Sequence, residues 1–126
     1  MTADRREKMR SLLDGLSKQK GVVGATLITR DGLCVMNSDK ALASSETFSA
    51  MTAALMGAAE TAFYELGGAA KLRVTAETDK SKMVAVGASD ELLLVLVGNG
   101  TSSAVDLLKH AETAAKELRL LVSGGQ

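Results

Sequence analysis

The sequence predicts an α/β domain of the α+β type, a three-layer fold in which helices cover both faces of a five-stranded antiparallel sheet. Helical patterns stand at the start, the middle and the end of the chain, and short β-branched runs bounded by turn residues lie between them. One run, Leu92 to Val97, is wholly apolar without alternation, which is typical of a central strand covered on both faces. The 126 residues, 46% of them hydrophobic, suffice for a single domain over residues 1–126.

The first two strands and the helix before them follow from local patterns. An amphipathic helix is predicted from about Ala3 to Lys18, because its apolar residues recur at helical spacing. Arg30-Asp31-Gly32 then separates two apolar runs, and Asp-Gly favours a tight hairpin turn. We therefore expect strands at Val22–Thr29 and Leu33–Asn37. The apolar side of the helix consists of Met9, Leu12, Leu13 and Leu16.

A second helix is predicted over Thr47–Leu66. Ser44 or Ser45 is a suitable N-cap, and Gly67-Gly68 supplies the left-handed conformation that ends a helix. The segment is unusual because Thr47 to Phe63 carries one charged residue, Glu60.

The rest of the chain predicts a meander followed by a third helix. Strands are expected at Lys71–Glu77, Lys82–Gly87 and Glu91–Val97, with "TDKS" and "ASD" as turns. The helix follows "GNGTSS", where Thr101 or Ser102 is the expected cap, and the order is α-β-β-α-β-β-β-α. We expect Glu112 and Lys116 to support one another on its wet side. The expected buried stripe is Ala104, Leu108, Ala111, Ala115, Leu118 and Val122.

Both faces of the second helix are apolar on a helical wheel. The side expected to cover the sheet holds Phe48, Met51, Leu55, Ala59, Ala62, Phe63 and Leu66. The opposite side holds the small residues Ala50, Ala53, Ala54, Gly57 and Thr61. Small residues at such spacing allow two helix backbones to approach closely. We interpret this side as a contact with a second copy of the chain related by a two-fold axis. The alternative is a solvated alanine-rich helix, since alanine needs no partner to be helical.

The strand after this helix extends the same interpretation. It alternates apolar and polar residues, and the meander places it at a sheet edge, where unpaired backbone groups favour pairing with another chain. The predicted dimer contact therefore adds Leu72, Arg73, Val74 and Thr75 to the small residues of the helix.

These features together resemble the Roadblock/light-chain-7 family, the domain shared by dynein light chains and prokaryotic regulators of Ras-like GTPases. The residues that carry the resemblance are "GVVGATLITRDGLCVMNSD", "FSAMTAALMGAAETAFYELGGA" and "MVAVGASDELLLVLVGNGTSSAVDLLKHA". The resemblance implies a homodimer with one continuous sheet and paired central helices. It also implies a regulator or scaffold for a small Ras-like GTPase, and one bacterial relative resembles a GTPase-activating factor. The family has no shared catalytic motif to transfer.

Composition and the scarce reactive side chains predict no catalytic, metal or cofactor site. Fifteen basic residues balance fifteen acidic ones, which gives no electrostatic signature for nucleic acid. A lone Cys34 fits a reducing compartment, and no apolar run is long enough to span a bilayer, so a cytoplasmic protein is expected. His110 and Cys34 are interpreted as structural, although a Cys–His pair would make a nucleophile. Arg30 at the hairpin tip is expected to be an exposed turn residue rather than an arginine finger.

The "GNGTSS" loop lacks the spacing and the lysine of a phosphate-binding loop, so it is interpreted as a capped connection. Together with the lack of a catalytic motif, the family resemblance thus implies a non-enzymatic homodimeric regulator or scaffold that binds a small Ras-like GTPase, with modulation of its GTP hydrolysis as an open part of that role. The alternatives are a small-molecule sensor with a pocket between helix and sheet, which requires inward polar groups, and a hydrolase, which requires a nucleophile–base pair.

Overall fold

The predicted order of elements is confirmed in the computed structural model, which describes residues 2–38 and 46–123. Most boundaries lie within two residues of those expected, and the predicted caps Ser44 and Ser45 lie outside the described residues. The elements are α1 Ala3–Ser17, β1 Val22–Thr29, β2 Cys34–Asn37, α2 Glu46–Tyr64, β3 Arg73–Glu77, β4 Ser81–Gly87, β5 Leu92–Asn99 and α3 Ala104–Ser123.

The five strands form one antiparallel sheet in the order β2-β1-β5-β4-β3. The apolar strand β5 lies at the centre between β1 and β4, as its lack of alternation predicts. Strand β3 lies at an edge, as the meander predicts. Its alternating pattern fits this place because an edge strand of this sheet is only partly covered.

Helices cover both faces of the sheet. On one face α1 and α3 pack over Leu27, Leu94 and Leu96, which are all fully buried. On the other face α2 packs over a smaller cluster that includes Leu93 and Val95. Alternate residues of β5 therefore supply both cores, and the predicted three-layer architecture is confirmed.

The hairpin between β1 and β2 forms at Asp31-Gly32. The Gly32 amide donates to the Thr29 carbonyl at 2.9 Å, and the Thr29 amide donates to the Leu33 carbonyl at 2.8 Å. Gly32 has φ +96°, which favours glycine, and a Cβ there would lie 2.8 Å from the Ala50 Cα. The turn therefore lies directly against the backbone of α2.

The edge strand β2 is short and partly covered. It has four residues, and its pairing with β1 is interrupted by a register shift between Leu27 and Ile28. The Arg10 side chain from α1 donates from Nη1 to the Asn37 carbonyl at 2.7 Å. Both features are ways in which natural sheets protect an edge.

The helix ends are fixed by side-chain and glycine caps. Gly67 and Gly68 both have positive φ, and the Gly68 amide donates to the Phe63 carbonyl at 3.0 Å, so the predicted stop of α2 is confirmed. The predicted cap of α3 is wrong by one or two residues. Ser103 is the cap, because its Oγ accepts from the Asp106 amide at 3.2 Å.

The residues predicted to cap α3 serve the preceding loop instead. Ser102 Oγ donates to the Asn99 carbonyl at 2.6 Å, and Thr101 Oγ1 donates to Asn99 Oδ1 at 2.7 Å. The buried stripe of α3 also differs slightly from the prediction, since Ala104, Leu108 and Val122 are only half-buried. The buried residues of α3 are Leu107, Ala111, Ala114, Ala115 and Leu118.

Candidate interaction surface

Helix α2 is rotated about its axis relative to the predicted orientation. The sheet-facing residues are Ser49, Thr52, Ala53 and Met56. The predicted orientation is therefore wrong for four large side chains, because Met51, Leu55, Phe63 and Leu66 are all exposed, by 61%, 41%, 44% and 78% respectively. Ala62, also predicted to face the sheet, is exposed as well.

Contacts distant in sequence explain this rotation. The backbone at Ala50 lies against Gly32, and Glu60 lies against Arg30, 30 residues away in the chain. These two contacts fix which sides of α2 face Gly32 and Arg30, and so they fix the rotation of the helix. Because both faces of the helix are apolar, hydrophobicity alone does not select between them.

The side facing away from the sheet is consequently the more apolar one. We call the residues on this side the α2 outer face, and all of its members are exposed. An exposed apolar face of this kind is typical of a surface that contacts another molecule. The α2 outer face consists of Met51, Ala54, Leu55, Ala58 and Ala62.

The small residues predicted to form a helix–helix contact divide between two sides of α2. Ala54 and Thr61 are exposed, and Gly57 is half-exposed with open space where a Cβ would lie. Ala50 is half-buried beside Gly32. Ala53 is only 8% exposed and packs towards the sheet. The dimer contact itself stays a prediction, with Ala53 lying behind it rather than on its surface.

Strand β3 borders α2 and presents an edge to solvent. Among the described residues it pairs with β4 alone. Leu72, just before the strand, and Val74 are half-buried against the core beneath α2, while Arg73 and Thr75 are exposed. The Arg73 guanidinium forms an ion pair with Glu112 of α3. The expected support between Glu112 and Lys116 is therefore replaced by a contact between α3 and the sheet edge.

Arg30 is held by α2 and is not the exposed tip residue that was expected. Its Nη1 lies 2.7 Å from Glu60 Oε2, and its Nη2 lies 3.5 Å from the Ser89 carbonyl. Its side chain is 35% exposed. The single charge in the middle of α2 thus serves to join the helix to the end of β1.

The comparison with protein families decides the identity of this fold. Residues 9–98 match the family model described as the Roadblock/LC7 domain. The chain belongs to the Roadblock/LC7 family. The resemblance drawn from the sequence is thereby confirmed.

Solved structures agree with the Roadblock/LC7 assignment. An MglB with tetrameric arrangement is similar with a TM-score of 0.86 and 20% identity, covering 100% of this chain and 96% of that one. The gliding protein MglB from Thermus thermophilus gives 0.86 and 19%, covering 99% and 96%. Myxococcus xanthus MglB gives 0.82 and 15%, covering 93% and 96%. At these identities the likeness supports the fold. No curated protein sequence matches the chain.

The reactive side chains of this Roadblock/LC7 domain do not form a catalytic pair. Cys34 is exposed on β2, with Sγ 3.5 Å from Thr26 Oγ1, which strand alternation places on the α2 side of the sheet. His110 lies on α3, on the other side of the sheet from Cys34, in a groove that Gly15 and Gln19 also line. Cys34 and His110 therefore lie on opposite sides of the sheet and do not meet, in agreement with their interpretation as residues that do not form a nucleophile pair. Over residues 2–38 and 46–123, no group of three or more metal-ligating side chains comes together.

The glycine-rich loop before α3 in this Roadblock/LC7 domain is held from within. Lys82 of β4 donates from Nζ to the carbonyls of Gly100 and Ser102. The loop thus turns carbonyl oxygens towards a lysine of its own chain, as expected of a structural connection. Of the helices described, none has the length and apolarity needed to cross a bilayer.

Proposed function

We propose that this protein is a non-enzymatic homodimeric regulator or scaffold that binds a small Ras-like GTPase. Membership of the Roadblock/LC7 family supports the class of function. The observation that carries the proposal is the α2 outer face, where Met51 and Leu55 are exposed in the single chain. Side chains of this kind are seldom left uncovered as a contiguous face.

The proposed dimer joins two surfaces that lie side by side in each copy. The edge of β3 pairs with its equivalent across a two-fold axis, through Leu72, Arg73, Val74 and Thr75. The paired edges bring the two α2 helices together. Their contact then forms at Ala50, Ala54, Gly57 and Thr61, with Ala53 supporting α2 from the sheet side.

A stable dimer requires both the helix contact and the pairing of the β3 edges. The contact residues Ala50, Ala54, Gly57 and Thr61 are small, and Met51 and Leu55 stay uncovered for the GTPase, so at about 25 cal/mol per Å² of apolar area the helix contact contributes no more than about 4 kcal/mol. Association costs at least about 4 kcal/mol in lost translational and rotational freedom. Helix contact alone therefore nearly balances its cost, and backbone pairing at the β3 edge supplies the remainder.

In this proposal the dimer presents the two α2 helices as a platform for the GTPase. The chain itself performs no chemistry on GTP, and any change in hydrolysis arises because the platform contacts the GTPase. Arg30 is paired with Glu60 in the described structure, so use of Arg30 as a finger residue would require this ion pair to break.

The test is capture of Ras-like GTPases from the same cell, each loaded with GDP or a non-hydrolysable GTP analogue. Leu55→Glu should abolish capture, since it places a charge on the α2 outer face. Leu120→Glu is the matched control, because Leu120 is a 71% exposed leucine on α3, on the other side of the sheet.

Sedimentation of both variants separates dimerisation from GTPase contact. Loss of capture with an intact dimer places the GTPase on the α2 outer face, and loss of both makes the dimer a requirement for binding. Capture that survives Leu55→Glu but fails with Leu120→Glu would place the partner on α3 and contradict the proposed platform. The effect on hydrolysis is measured as GTP turnover by the captured GTPase with and without the protein.

A further inference from the structure

A cleft opens at the end of the sheet where β4 finishes and β3 begins. Its volume is about 570 Å³, and α2 lines one side while α3 lines the other. Its apolar surface consists of Met56, Leu72, Val86 and Ala115. Ligand sites of small molecules commonly have volumes of about 300–1,000 Å³ and combine apolar walls with a few placed polar groups.

The polar lining of this cleft carries an excess of positive charge. Among the described residues, five cationic and three acidic side chains line it, which gives these residues a net charge of +2 in a chain whose formal net charge is zero. The cations are Arg30, Lys71, Arg73, Lys116 and Arg119, and the acids are Glu60, Asp90 and Glu112.

Ion pairs use only part of this charge. Arg30 pairs with Glu60, and Arg73 pairs with Glu112. Within the described residues, no carboxylate forms an ion pair with Lys71, Lys116 or Arg119. Lys116 and Arg119 lie on α3 and Lys71 lies just before β3, and all three line one cleft.

Two of the arginines converge on one glycine from opposite faces of the sheet. Arg119 of α3 donates from Nη2 to the Gly87 carbonyl at 2.8 Å. Arg30, on the α2 side, places its Nη2 3.2 Å from the position that a Cβ at Gly87 would occupy. A side chain at Gly87 would therefore press against one guanidinium.

The backbone of the cleft wall is also strained. Lys71 has φ +59°, a left-handed conformation that lysine adopts rarely. Such conformations concentrate at functional sites, where the surrounding structure maintains them.

We propose that this cleft binds a small molecule that carries a doubly charged anionic group, a phosphate monoester or a dicarboxylate, on an apolar body. Guanidinium groups donate paired hydrogen bonds to phosphate and carboxylate oxygens, and lysines add charge. The apolar wall accepts the body of the ligand. Among the described residues that line the cleft, none is aromatic.

The experiment titrates the full chain with inorganic phosphate and, separately, with malonate, at constant ionic strength in sodium chloride. Amide resonances at and around Gly87 report binding. Saturable shifts confined to the cleft are expected with at least one probe, and the comparison shows whether phosphate or dicarboxylate is preferred. Inorganic phosphate tests only the charged group, so a series of phosphate monoesters with growing alkyl chains then tests the apolar wall.

The variants measure the contribution of single charges. Arg119→Gln and Lys116→Gln should each weaken binding about tenfold or more, since charge-assisted hydrogen bonds contribute that much. Lys109→Gln is the matched control, an exposed lysine of α3 outside the cleft. Glu60→Gln should strengthen binding, because it removes the carboxylate that competes for Arg30.

Several outcomes would overturn the proposal. They are the absence of saturable shifts, shifts spread over the whole surface, or equal weakening by Lys109→Gln. If Arg119→Gln lowers the melting temperature, the binding measurements on Lys116→Gln and Glu60→Gln decide whether the cleft binds the anion. If small anions do not bind while the same variants reduce GTPase capture, the cations serve a protein partner instead. The Gly57→Leu variant should bind the anion normally, so failure of the proposed dimer would not be mistaken for failure of this site.

Discussion

Replacement of Gly57 by leucine separates the stability of one chain from its association with a second copy. A Cβ at Gly57 meets no atom within 4 Å, so the leucine fits the single chain without displacing a neighbour. Helix propensity then favours the variant by about 0.8 kcal/mol, because glycine is poor in a helix interior and leucine is close to alanine. The folded single chain should therefore become more stable.

The proposed dimer should respond in the opposite direction. If the α2 helices meet at Gly57, each leucine overpacks the contact at a cost of about 1–3 kcal/mol. The two-fold axis doubles this to about 2–6 kcal/mol, which raises the dimer dissociation constant about 30-fold or more. Sedimentation equilibrium over a range of concentrations measures the constant. Urea unfolding of dilute protein, in which dissociation is complete, measures the single chain.

Gly15→Leu is the matched control for this experiment. Gly15 also lies in a helix, α1, and a Cβ there meets no atom within 4 Å. It should stabilise the chain to a similar degree and leave association unchanged. A Gly57→Leu protein that is more stable yet associates as tightly as the parent would refute the helix contact at this residue.

Three further predictions concern the contacts that hold α2. Gly32→Ala should lower the free energy of unfolding, measured by urea titration, by about 2–5 kcal/mol. The alanine would have an unfavourable φ, and its Cβ would lie 2.8 Å from the Ala50 Cα. A loss below about 0.5 kcal/mol would mean that the turn adapts. Ser49→Ala should raise the melting temperature by removing a buried hydroxyl that has no hydrogen-bond partner among the described residues, a gain of about 1 kcal/mol; destabilisation would reveal a partner for Oγ. A double-mutant cycle between Arg30→Ala and Glu60→Ala should give a coupling energy of about 0.5–1 kcal/mol. Because the ion pair is partly exposed, this coupling energy should decrease in about 1 M sodium chloride. A coupling energy insensitive to salt would contradict a mainly electrostatic contact.

The sheet was predictable because its signals are local. Asp31-Gly32 specifies a hairpin wherever two apolar runs flank it, and the unbroken apolar run Leu92–Val97 requires cover on both faces. The cap of α3 was harder, since Thr101, Ser102 and Ser103 are all good caps and only the loop geometry selects Ser103.

The rotation of α2 and the cleft could not be predicted from the sequence, for a different reason. Both faces of α2 are apolar, so the choice depends on contacts with Gly32 and Arg30 that no local pattern contains. The cleft collects cations from distant segments, and a formal charge of zero for the whole chain conceals them. A helical wheel shows only which side of a helix is more hydrophobic. The side of α2 that faces the sheet also depends on the residues that the neighbouring elements bring into contact with it.

The two borders of the sheet differ in a way that limits how many copies can add. The border formed by β3 offers a run of five residues in regular register with its neighbour. The border formed by β2 offers four residues with a broken register and a carbonyl already bonded to Arg10. Each molecule therefore has one good position for a neighbouring strand, and the proposed dimer would use that position in both copies. In the proposed dimer, growth by strand addition would therefore end at two, and an apolar helix on the surface would not lead to fibrils.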